Sequence, residues 1–392
     1  MDELKYIIAS LINADNTLEK NSIFENSFNS SVNVKIFLFD EKHSNIDESF
    51  KNKEVNGYKI FGPTDYTKMW VLDSKHIGEF SRELKVGKVV HFDLNILTYL
   101  NRFINNYKQN IDIARFVEYL KFIKNNKFNY NISTAIMERS TSDISDVAKN
   151  IWSEIILSYV KFSNTKFDIT EPDIFLLTES DYRWAKEIYN SLLECEKQQF
   201  VHYTALCCLL LKAFLIKQDK KIENKLDVLL QYSLDVLNVY LELETVLIHY
   251  YFESDNSIEK TFNKIQGYSK KTVERILNTV WDIFHVRLME LSLTNDNKDK
   301  EEIFLSYFSS RDDAFSELAK INRIKMFVIY EGMSFAIREK GIKEICTNKD
   351  LLYKIENETA KRKINISKVD FENEKNKLIN EVENEQKLFF QC

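Results

Sequence analysis

Glycine and proline are scarce in this chain, with 7 and 2 in 392 residues. All-β folds and glycine-rich phosphate loops depend on those turn formers, so both are disfavoured and helices should dominate. No glycine-rich loop ends in Gly-Lys-Ser or Gly-Lys-Thr, which excludes the common NTPase cradle. Five cysteines, an odd number without Cys-x-x-Cys spacing, argue against a disulfide framework and a structural zinc site, and read as reduced cytoplasmic thiols. The longest apolar stretch, 205–216, is interrupted by Lys212 and falls short of the roughly 20 residues of a bilayer span, so no membrane partner is expected. Asp2 and Glu3 stand where a secretory leader would be basic. There is no serine or cysteine hydrolase signature, and no arginine has a histidine across four to six intervening residues, the spacing of one helical ribonuclease type. A net charge of −6 disfavours a surface that coats nucleic acid, but not a nuclease whose acids are neutralised by metal ions.

What is present centres on residues 88–100, KVVHFDLNILTYL. Val89, Val90 and Phe92 read as a buried strand, and Ile96, Leu97, Tyr99 and Leu100 as the core face of a helix. Between them lie Asp93 and Asn95, at the strand's carboxyl end, where α/β sheets bind ligands. The same residue types are favoured helix N-caps, and both readings stand at this point.

Residues 1–87 read as a helix at 4–12, a polar stretch, and short strands at 34–39, 58–61 and 69–72, forming a small lobe or extra strands on the main sheet. After the 88–140 segment's second helix, Ser133 is placed to cap a helix carrying Glu138. Residues 141–268 read as wholly helical, at 151–160, 182–193, 200–216 and 226–252, with His202, His249, Cys207 and Cys208 as packing residues. A helix from Ser269 to about Leu293 puts Arg275, Asp282 and His285 on one side. A strand at 303–308, Asp312 and Asp313, a helix at 314–320 and a strand at 324–330 read as a βαβ unit with its acid on the same sheet edge as Asp93. Residues 331–392 form a charged helical tail whose stripe of Phe371, Leu378, Val382 and Phe389 suits docking on the body or pairing in a homo-oligomer.

FDLNILTYL, ISTAIMER, WDIFHVRLMEL and YFSSRDDAFSELAKINRIKMFVIY, in this order, resemble the motifs of the PIN-like nuclease superfamily. The resemblance implies an α/β fold: a PIN-like parallel sheet flanked by helices, formed by 88–140 and 269–330, with 141–268 as a large all-α insertion. It implies Asp93, Glu138, Asp282 and Asp312 as catalytic acids and ligands of Mg²⁺ or Mn²⁺, with Asn95 and His285 supporting them and Asp313 as the substitute for Asp312. Clustered carboxylates call for hard divalent cations on their own account. Lys270, Lys271 and Arg275 are candidate phosphate contacts. Two features depart from the family pattern: the long separation of Glu138 from Asp282, and the position of Asp282 inside a helix. The expected activity is metal-dependent endonuclease cleavage, of RNA rather than DNA, in a toxin or antiphage effector whose helical insertion meets a protein regulator. The alternative is a non-catalytic interaction protein on a degenerate nuclease fold.

Overall fold

The computed structural model describes residues 2–39, 48–78, 85–105, 112–140, 146–165, 178–297 and 302–391. In chain order, α1 (Asp2–Asn13) and α2 (Thr17–Ser27) precede β1 (Val34–Leu38), β2 (Lys53–Val55), β3 (Tyr58–Phe61) and β4 (Trp70–Asp73). Then come β5 (Val86–Phe92), α3 (Leu94–Ile104), α4 (Ile113–Asn125), β6 (Phe128–Asn131), α5 (Ser133–Ser140), α6 (Asp146–Asn164) and α7 (Glu179–Gln218). Next are α8 (Lys225–Asp235), α9 (Glu242–Glu253), α10 (Glu259–Phe262) and α11 (Thr272–Asn297). The chain continues through β7 (Ile303–Ser310), α12 (Asp313–Leu318), β8 (Ile324–Tyr330) and β9 (Met333–Arg338). It closes with α13 (Ile342–Ile345), α14 (Lys349–Asn357), α15 (Thr359–Asn365) and α16 (Phe371–Gln391).

Helices dominate, and the strands form two sheets. The central sheet has the order β2-β3-β7-β5-β6; β7, β5 and β6 are parallel, while β2 and β3 run antiparallel. It is therefore mixed, not the parallel sheet the family resemblance implies. Alternation along β5 sends Val90 and Phe92 to one face, where they pack under α3, α4 and α6. Phe308 of β7 points to the other face, into the core built by α7 and α11. With both faces covered, the parallel strands can be nearly continuous in apolar residues, as β5 is.

The second sheet, β4-β1-β8-β9, is antiparallel and is covered by α1 and α2. β8 therefore corrects the βαβ expectation: it leaves the central sheet and pairs antiparallel with β1 and β9. Asn322, at φ 55°, turns the chain after α12, and its amide bonds the backbone of Lys340 beyond β9. The 1–87 strands divide between the sheets, with β2 and β3 extending the central one, so they form no separate lobe.

Other expectations need adjustment. The 226–252 run is two helices, because Asn238 adopts φ 54° and Ser233 caps the break by bonding Val239 in both directions. The helices expected at 182–193 and 200–216 are one, started by a capping box between Thr178 and Asp181. The window Val201–Gln218 is long and apolar enough to cross a membrane, yet 67% of it is buried inside the protein, as in a core helix. Its neighbours Cys207 and Cys208 are buried packing residues as expected. The tail stripe docks on the body: Phe371, Leu378 and Val382 are buried against α7 and α11, while Phe389 is exposed.

Candidate functional site

The carboxyl ends of the three parallel strands open onto one recess. β5 ends on Asp93, β6 leads into α5 and Glu138, and β7 ends on Ser310, two residues before Asp312. α11 crosses beside β7 and contributes Asp282 and His285. The result is a cavity of about 190 Å³ lined by Asp93, Asn95, Glu138, Asp282, His285 and Asp312, closed by Trp281 and Phe315. Asn278 and Ser310 complete it. All four acids assigned from the sequence line this one space.

Asp93 occupies the N-cap position of α3, but its side chain makes no capping bond. Its Oδ2 instead accepts from Ser310 Oγ at 2.7 Å and from Asn95 Nδ2 at 3.4 Å. Burial pushes its carboxyl above the usual range, and the Ser310 hydroxyl opposes that. Asp312 does cap a helix, accepting from Ala314 and Phe315 N–H through Oδ1. Ser310 Oγ in turn accepts from Asp312 N–H at 3.0 Å, so one hydroxyl ties the two strand-end acids together.

Asp282 lies mid-helix in an unbroken α11, as its sequence setting suggested. Burial pushes its carboxyl up to about 6; Lys264 opposes this, and Asp312 and Asp93 add to it. Lys264 Nζ donates to Asp282 Oδ2 at 2.7 Å. His285 is buried and held down to about 4, so its ring is neutral at pH 7; Nε2 lies 3.5 Å from Glu138 Oε2. Trp281, Phe308 and Phe315 wall it in. At the start of α5, Asn131 Oδ1 accepts from both Ser133 N–H and Ser133 Oγ, so Asn131 supplies the acceptor expected from Ser133.

The remaining candidates lie outside the cavity. Asp313 points to the surface, where Lys59 holds its carboxyl below the usual range. Lys270 and Lys271 line a separate shallow site with Glu383, Gln386 and Lys387 of α16. They stand eleven or twelve positions before Asp282, roughly 17 Å along the helix at 1.5 Å per residue. Arg275 is exposed and roughly 10 Å up the same axis. The sequence reading missed Ser310 and Asn278 as cavity residues and Lys264 as the partner of Asp282. Asn278 carried a signal, since it lies one turn before Asp282. Lys264 carried none, because only tertiary packing brings it near.

No family model, curated protein or solved structure matches the chain. Geometry and donor chemistry carry the functional argument. Among the described residues, no three His, Cys, Asp or Glu side chains are already posed around one point as metal ligands. The donor set nonetheless fits a hard divalent cation in kind: carboxylate oxygens from four elements, with the Asp282 carboxyl raised by burial and by the charges of Asp312 and Asp93. Closing them on one ion takes side-chain rotation within the cavity.

Proposed function

We propose that this protein is a metal-dependent endonuclease that hydrolyses phosphodiester bonds, with RNA as the preferred substrate over DNA. One observation carries the reading: Asp93, Glu138, Asp282 and Asp312, from four elements, line a single recess at the carboxyl edge of parallel strands. Asp93, Glu138, Asp282 and Asp312 would hold Mg²⁺ or Mn²⁺. Bound there, such an ion activates water and neutralises charge on a phosphodiester. Ser310 fixes Asp93 Oδ2 and Asp312 N–H together, which orients both acids. Lys264 Nζ is the ammonium beside the acids, already paired with Asp282. Trp281 and Phe315 supply the apolar part of the recess wall.

The wider setting belongs to the same reading: a cytoplasmic toxin or antiphage effector whose helical region meets a protein regulator. A non-catalytic scaffold is the second reading, favoured by the Lys264–Asp282 pair, which already neutralises one acid. The deciding experiment is cleavage of labelled single-stranded RNA, structured RNA and single-stranded DNA with Mn²⁺ or Mg²⁺, comparing wild type with Asp93→Asn. Metal-dependent cleavage lost in the variant supports the nuclease; no cleavage by the wild type, with no Mn²⁺ binding by calorimetry, supports the scaffold.

A further inference from the structure

The acid recess has an electrostatic problem of its own, because four carboxylates repel the phosphates of any strand that approaches them. The chain's net charge of −6 supplies no general attraction to offset this. A fixed cation at the mouth would supply it. Lys59, Lys260 and Lys264 are each already neutralised, by Asp313, Glu317 and Asp282, and Lys320 stands at the far end of α12 from Asp312.

Arg311 is different. It is exposed, it lies between the cavity-lining residues Ser310 and Asp312, and it makes no ion pair with any described residue. Its guanidinium carbon lies 5.2 Å from the ring centre of Tyr58 and 5.5 Å from that of Tyr99, and its Nη1 is 3.4 Å from the Tyr99 hydroxyl. Those rings are held in turn by Phe116 and Tyr119, and Tyr58 stacks on Tyr119 at 4.7 Å. Tyr119 is pinned to Ser309 by a 2.6 Å hydrogen bond. An aromatic shelf rooted in the core beside β7 thus limits the freedom of the guanidinium and leaves its charge without a carboxylate. Tyr99 stands one helical turn beyond the cavity residue Asn95, so the shelf adjoins the recess.

We propose that Arg311 is the phosphate anchor of the substrate strand: a planar cation, pre-set on the Tyr58–Tyr99 shelf, that grips a backbone phosphate next to the one entering the acid recess. This rests on the nuclease reading for what happens in the recess, but the anchor itself is a binding property and is tested without cleavage. Arginine suits the role because its fork of N–H groups matches phosphate oxygens bidentately.

The experiment measures binding of a fluorescein-labelled single-stranded RNA to the full-length Asp93→Asn protein by anisotropy, across a KCl series. Adding Arg311→Ala should weaken binding about tenfold, the size of one lost charge-assisted contact. It should also lower the slope of log K against log salt by about 0.7, the value for one phosphate contact on a single strand. Arg311→Lys should keep the slope and lose part of the affinity. Tyr99→Leu, which keeps the charge and removes one wall of the shelf, should do the same. Lys325→Ala, a charge loss on β8 of the second sheet, should change neither quantity by as much as Arg311→Ala. Unchanged affinity and slope in Arg311→Ala, or no RNA binding by the parent protein, overturns the anchor. The nuclease reading fails on a separate result, absence of wild-type cleavage.

Discussion

Two buried histidines and one half-buried acid make stability vary with pH in opposite senses. His91 and His285 are each held down to about 4 by burial, against an unfolded value of 6.5. Between those values the unfolded chain binds protons that the folded chain does not, so stability is full above pH 6.5 and is lost as pH falls toward 4. Among the described residues neither ring nitrogen of His91 has a hydrogen-bond partner, and His91→Leu should gain about 2 kcal/mol at pH 5 relative to its effect at pH 8, read by urea unfolding at both. Asp282 runs the other way: its folded value near 6 exceeds the unfolded 3.8, so it costs stability increasingly as pH rises from about 4 to 6 and by a constant amount above. Asp282→Asn should therefore stabilise the protein by up to about 3 kcal/mol at pH 7, with the gain gone at pH 3.5. Bound Mn²⁺ should raise the wild-type Tm and move the Asn variant much less, by scanning calorimetry with and without the metal. The four acids were legible in the sequence because each follows or sits inside a clear hydrophobic pattern. Lys264 was not, since its partner is 18 positions away across a turn whose direction only packing decides.

At the scale of elements, α11 does two things at once. One side presents Asp282 and His285 to the cavity, and the other carries Arg287 and Glu290 into a buried charge network. Arg287 grips Glu244 bidentately, at 3.0 and 2.6 Å, and Glu290 at 2.8 Å, while Arg338 of β9 closes on Glu290. Burial holds Arg338 down to about 9. Removing one partner leaves buried charge without compensation, so Glu290→Ala should cost about 3–5 kcal/mol in urea unfolding, well above the effect of a surface Glu→Ala. β9 itself escaped the sequence reading, which ran the tail as helix from residue 331. The signal was present: Glu331 and Gly332 both take positive φ, the two-residue loop that returns a strand on itself, between two alternating runs. A charged residue at the first turn position hid it. β5, β7 and β8 were legible, because compact β-branched and aromatic runs read the same way in any sheet; which sheet β8 joins was not, since that depends on β1 and β9.

For the whole molecule, the decisive contact joins two strands that lie far apart in sequence. β5 and β7 pair side by side, register Val86 with Ile303 through Phe92 with Ser309, across the whole helical region. Loop closure of that length is slow compared with helix formation, so in a variant with Trp70, Trp152 and Trp184 replaced by Phe, refolding should recover far-ultraviolet helical signal before Mn²⁺ can quench Trp281, with the two phases separated in stopped-flow traces. Coincident phases would show that the helices do not form ahead of the sheet. The helical region is no detachable insert: α6 packs on the central sheet, α7 and α11 share one core, and α16 seals it.

The same separation sets a schedule for the living chain. During synthesis Asp93 and Glu138 emerge early, whereas Asp282 and Asp312 follow only after the whole helical region has been made. A nascent polypeptide that stops before Asp282 holds two of the four acids and cannot form the recess. The recess is therefore a late product of synthesis, complete only once the chain has been made through Asp312.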